Sequence, residues 1–147
     1  MFTDALWASA HHLAAFTLAA MLAVEAGLLL AGQPLTRERL RLLSLADGLY
    51  GASAAAVLVV GLLRAVFGAK GWDFYAGNPL FWIKLGLFVV IGLVSIVPTV
   101  RIIRWRRAAE LPSAAAQAAT LKLVLLQGAL LLTLPLLAAF MARGFGH

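Results

Sequence analysis

The chain has 147 residues, 63% of them hydrophobic and 12% charged, with a mean hydropathy of +0.97 and a formal charge of +6. A soluble domain is about half apolar and about a quarter charged. This composition therefore excludes a soluble globular domain and a disordered chain, and the pI near 10.9 points to anionic lipid headgroups rather than to nucleic acid. The absence of cysteine removes disulfides, thiolate metal sites, cysteine nucleophiles and iron–sulfur clusters.

A membrane helix needs about 20 apolar residues. Four stretches supply them, at 5–31, 43–67, 79–100 and 118–141. The first is too long for a signal peptide, and its leading segment carries Asp4 and no basic residue, so it is expected to stay in the mature chain. It contains His11, His12 and Glu25. Fourteen residues turn a helix through about 1,400°, so His11 and Glu25 fall within about 40° of one face. His12 shares its face with Phe16, Ala19 and Ala23 instead. Ala19, Ala23, Ala26 and Gly27 read as a close-packing stripe, because small residues let membrane helices approach.

The first loop carries Arg37, Arg39 and Arg41. The second span contains Asp47, Tyr50 and Arg64, with Gly51, Ala54, Ala55 and Gly61 as its small-residue stripe. The second loop, 68–78, is rich in aromatic and turn residues and has one basic residue, Lys70. The third span opens with Trp82 and Lys84 and holds Pro98 near its end. The third loop carries Arg101, Arg104, Arg106 and Arg107, followed by a small-residue connector in which Pro112–Ser113 marks a helix start. The fourth span contains Lys122, Gln127, Pro135 and Met141.

Seven basic residues lie in loops one and three, against Lys70 and Arg143 on the other side. The positive-inside rule then places loops one and three in the cytoplasm and both termini outside, in the inner membrane of a bacterium. Short loops make successive helices antiparallel, so the expected fold is all-α: a single-domain, up-down-up-down four-helix membrane bundle. Its surroundings are the lipid bilayer, with a homo-oligomer or a membrane partner as the remaining interaction and no nucleic acid.

Ionisable groups inside spans are costly and mark functional candidates. They fall into two layers. His11, His12, Arg64 and Lys84 lie roughly 5–10 Å below the outer boundary, with Trp72, Tyr75 and Trp82 close by. Glu25, Asp47, Lys122 and Gln127 form the inner layer, where Glu25 and Lys122 are expected to pair across helices or to belong to a proton path. Imidazoles in a helical bundle suit haem b. Adjacent His11 and His12 point about 100° apart and are not expected to clamp one iron, so a haem would use one histidine with an open position or with a sixth ligand from Met141, Lys84 or a second subunit. His11 and His12 are the candidate metal ligands; no catalytic residue is identified.

The stretch KGWDFYAGNPLFWIKLGLF, preceded by DGLYG and GLLR and followed by SIVPT and RWRR, resembles a bacterial family of small four-span membrane proteins of unknown function. The likeness covers essentially the whole chain, including HHLAAF and MARGFG. It implies a fold and a membrane location, and no activity. A more remote likeness is to HemJ-type protoporphyrinogen oxidases, through His12–Leu13, Leu49–Tyr50 and Trp82–Ile83–Lys84 in that order. The membrane domain of the copper-resistance protein CopD has a similar helical layout. The HemJ likeness implies a haem or porphyrin site using His12 and Lys84, although the stretch where that family has a further histidine reads VSIVP here. Two expectations follow: a redox protein binding haem or a porphyrin through His11, His12, Arg64, Lys84 and Trp82, or a non-enzymatic accessory or transport-related protein whose polar residues are structural.

Overall fold

Short polar side chains start the long helices. The Thr36 hydroxyl accepts from Arg39 N (3.2 Å), the Asn78 carbonyl oxygen from Leu80 N (2.9 Å), and the Ser113 hydroxyl from Ala116 N (3.2 Å). Each satisfies a donor that the first helical turn leaves unpaired. Pro79, directly after Asn78, occupies the one position where its missing N–H costs nothing.

The computed structural model describes residues 2–30 and 34–146. It contains α1 (Phe2–Leu30), α2 (Arg37–Phe67), α3 (Gly71–Ala76), α4 (Pro79–Arg107) and α5 (Ala114–Ala142). The four long helices are apolar enough to cross a membrane. At 29 to 31 residues they are about 44 Å long, so their ends reach beyond the roughly 30 Å hydrocarbon layer. They therefore extend past the spans expected from hydropathy, except at Ala31, which lies outside the described residues. The second loop, expected to be irregular, contains α3. Helices α4 and α5 run through Pro98 and Pro135.

The helices form a ring. α1 packs on α2 and α5, α4 packs on the same two, and among the described residues the backbones of neither diagonal pair approach each other, so their side chains meet only across the centre. The inward face of α1 is Leu18, Leu22, Glu25 and Leu29, a four-three-four spacing that makes one stripe. It meets Leu40, Leu43 and Tyr50 of α2, Ile102 of α4 and Val124 of α5. This core fills the half of the bundle nearest the arginine loops, the basic end. At the other end, the histidine end, Ala65, Phe81 and Met141 make a smaller cluster.

The small-residue stripes are only partly in the packing: Gly61 of α2 lies directly against His11 of α1. Ala23 and Gly27 are exposed, Ala19 borders a cavity, and a Cβ added to Gly27 or Gly51 would meet nothing within 4 Å. Ala26 and Ala54 do lie against the core. Leu18, Leu22 and Leu29 make the core contacts of α1.

Arginines of the basic end tie the connections. Arg39 Nη2 donates to the Leu28 carbonyl (2.7 Å), and Arg37 Nη2 donates to that of Ala109. Both satisfy carbonyls near helix C-termini, where a cation is also favoured by the dipole.

Candidate ligand-binding chamber

Between the two clusters the ring does not close. A cavity of about 660 Å³ occupies the histidine half of the bundle, with walls from all four long helices and from α3. On α1, His11, Ala15 and Leu18 line it at helical spacing, with His12 and Phe16 beside them; on α4 the spacing repeats as Phe81, Lys84, Leu85 and Phe88. Arg64 of α2 and Met141 of α5 complete the end nearest the cap.

His11 is held by a glycine. A Cβ at Gly61 would lie 3.0 Å from His11 Cε1 and 3.3 Å from Nδ1, so the ring rests directly on the α2 backbone. His11 Nδ1 is buried without a hydrogen-bond partner, and so is Arg64 Nε. His11, Lys84 and Arg64 lie within electrostatic reach of one another. His12 is more exposed; its ring stacks on Phe16, with centroids 6.4 Å apart.

The cap is aromatic. Tyr75 and Phe81 pack at 5.7 Å, Phe74 and Tyr75 at 5.3 Å, and Lys70 Nζ sits 4.2 Å over the Phe74 ring. Two tethers hold it. Asp4 Oδ1 accepts from Ala69 N (3.1 Å), and Asn78 Nδ2 donates to the Phe145 carbonyl (3.0 Å). Gly68 fits beside Asp4 because a Cβ there would lie 2.3 Å from the Arg64 carbonyl oxygen.

Of the outer-layer residues expected from the sequence, the fold brings His11, His12, Arg64 and Lys84 to one cavity and leaves Trp82 out. Trp82 is 48% exposed, and its indole N–H donates to the Ala76 carbonyl (3.0 Å). One residue after Phe81, it is rotated about 100° out of the lining. Trp72 also lies outside the lining, packed edge-on against Phe81. The walls that the sequence did not single out are Phe74, Phe81 and Phe88. Their signal was present in the three-and-four spacing of Phe81, Lys84 and Phe88.

The inner layer is rearranged. Lys122 is exposed on the outside of α5, where Thr120, Val124 and Gln127 take the inward face. The expected Glu25–Lys122 pair therefore does not form. Glu25 instead lies within electrostatic reach of Asp47 and Tyr50 on α2. Asp47 Oδ1 accepts from the Thr99 hydroxyl of α4 (2.7 Å). Glu25 Oε1 and Gln127 Oε1 are buried without partners.

No acidic residue lines the chamber, against five basic or imidazole side chains. Such an arrangement suits an anionic head on an apolar body. Among the described residues no group of three His, Cys, Asp or Glu converges as a metal site. Neither a curated protein nor a solved structure matches the chain. A family model does match, over residues 3–146, and the chain belongs to that family, described as "Predicted membrane protein (DUF2214)".

Proposed function

We propose that the chamber binds haem b or a related anionic porphyrin and that the protein has a redox role in the bacterial inner membrane. One observation carries this reading: an acid-free, largely apolar cavity into which His11, Arg64 and Lys84 project together. Its volume falls in the range of small-molecule sites, about 300–1,000 Å³. The residues present fit the group. His11, Met141 and Lys84 are lining side chains with a donor atom for iron. Arg64, Lys84 and Lys70 suit two propionates, which favour such cations. A bound haem supplies one-electron chemistry. The protein's own part is to fix the imidazole against Gly61, neutralise the carboxylates and keep water out with Val57, Leu85, Phe88 and Leu131.

The test is an absorption spectrum of detergent-purified protein from haem-replete cells, oxidised and then dithionite-reduced, with pyridine extraction of pigment. A Soret band that shifts on reduction is expected. His11→Ala should lose it, and His12→Ala should retain most of it because His12 sits at the edge beside Phe16. A colourless preparation, or normal haem content in His11→Ala, counts against the reading.

The second reading is a non-enzymatic accessory or transport-related protein with structural polar residues. The hydrogen bonds of the basic end favour it there: Gln117 Nε2 donates to the Leu29 carbonyl (2.9 Å), Arg101 to Thr120 (3.2 Å) and Arg106 to Ser44 (3.0 Å). It leaves the unpartnered groups of the chamber without a role. In either case the proposed orientation puts the arginine loops in the cytoplasm and the chamber in the outer half of the membrane. An assembly with a second copy or a membrane partner belongs to the same proposal.

A further inference from the structure

The basic half of the bundle contains two buried acids and, among the described residues, no base that answers them. Glu25 is 1% exposed and Asp47 8% exposed, on adjacent helices and within electrostatic reach of each other. The basic groups of the surrounding elements are engaged elsewhere. On α2, Arg39 donates to the Leu28 carbonyl. On α4, Arg101 donates to Thr120. On α5, Lys122 is exposed on the outer face. The remaining titratable group facing Glu25 is Tyr50. If both acids were ionised, two negative charges would lie in an apolar bundle without a counter-ion, which low-dielectric surroundings do not permit.

A second observation says what is missing. Gln127, also 1% exposed, turns its Nε2 back to the Leu123 carbonyl (3.3 Å) and leaves Oε1 unpartnered. Its neighbour Gly128 abuts Leu22, one turn from Glu25 on the inward stripe of α1. Glu25 Oε1 is likewise unpartnered. Two buried acceptor oxygens on packed helices lack a donor. A protonated carboxyl is both donor and acceptor, so one proton on Glu25 removes its charge and gives the carboxyl a donor of its own. Asp47 differs, because the Thr99 hydroxyl already donates to it.

We propose that Glu25, with Asp47 and Gln127 around it, is an intramembrane proton-binding site, one proton residing on the Glu25 carboxyl at neutral pH and exchanging with the basic end. Among the described residues no third acid or histidine joins the pair, and the salt titration below separates a proton from a cation held by the same oxygens. Access is short. Five residues separate Glu25 from the end of α1, about 8 Å along the axis. The inference stands apart from the ligand of the chamber, which lies in the other half of the bundle.

The experiment is infrared spectroscopy of the full chain in lipid, in H₂O and D₂O, at neutral pH. A carbonyl stretch of a protonated carboxylic acid is expected, shifting in D₂O, unchanged as NaCl or KCl is raised, and lost in Glu25→Gln. Should that variant fail to fold, labelling with ¹³C-glutamate and, separately, ¹³C-aspartate assigns the band without mutation. Glu38 and Glu110, the other glutamates, are exposed, and Asp47→Asn should leave a glutamate band in place. No band at neutral pH, a band that moves only with labelled aspartate, or a band that disappears as Na⁺ or K⁺ is added each overturns the proposal.

Discussion

At the scale of single residues, the contact between Gly61 and His11 links packing to the chamber's chemistry. Any side chain at position 61 occupies space the imidazole now uses, 3.0 Å from Cε1. An alanine there should shift the ring by a few tenths of an ångström. A valine or leucine should displace it altogether, at an overpacking cost of about 1–3 kcal/mol. Expected together are weakened pigment retention in Gly61→Ala, none in Gly61→Leu, and helical circular dichroism preserved in both. Unaltered retention in Gly61→Leu would show that His11 placement is immaterial. Two further substitutions separate the inner-layer residues. Lys122→Ala should leave the thermal midpoint in place, since Lys122 faces outward. Glu25→Ala should lower it, because it empties a fully buried position of the inward stripe of α1. Thermal melts in one detergent check both.

At the scale of elements, α4 shows how a helix start anchors the chamber. Asn78 is wholly buried; it caps α4 through Oδ1 and holds the C-terminal turn through Nδ2. Gly146 wraps this side chain at φ +92°, where a Cβ would lie 2.6 Å from Asn78 Oδ1. Asn78→Ala loses a cap and a tether together and should cost about 1–2 kcal/mol. Limited proteolysis should show the C-terminal turn released first; equal protection in variant and parent would mean the tether is dispensable. The four helices were legible in the sequence because 20 apolar residues have one meaning. The inward faces were not. In lipid both sides of a helix are apolar, so the contrast that reveals a buried stripe in a soluble protein is missing. Small residues therefore looked like the whole seam, while Leu18, Leu22 and Leu29 form the buried stripe of α1 and only Ala26, Ala54 and Gly61 of the small residues named meet neighbours. α3 escaped notice for another reason: six residues are too few for a period to show. His11, Arg64 and Lys84 were legible as one layer because depth follows from counting residues. Trp82 was misplaced because depth alone does not give direction around a helix.

At the scale of the whole molecule, charge is sorted along the axis. The chamber's lining holds cations without acids, the basic half holds buried acids whose neighbouring arginines are turned to other partners, and the outermost arginines bind helix-end carbonyls. Such sorting makes orientation in the membrane the property on which any vectorial role depends. The chain has no cysteine, so single cysteines report position without background. Asp73, in the aromatic cap, and Glu110, between α4 and α5, are both exposed and lie at opposite ends of the bundle. With the arginine loops in the cytoplasm, a membrane-impermeant maleimide added to intact spheroplasts should label Asp73→Cys and spare Glu110→Cys, and permeabilisation should make the two equal. The reverse pattern would invert the bundle. The buried carboxyl pair would then draw its proton from the outer aqueous phase, and the cationic chamber would face the cytoplasmic leaflet, where anionic lipid is concentrated. A ligand carrying carboxylates would in that case have to compete with lipid headgroups for Arg64 and Lys84, so the labelling result also decides which membrane composition a binding assay must use.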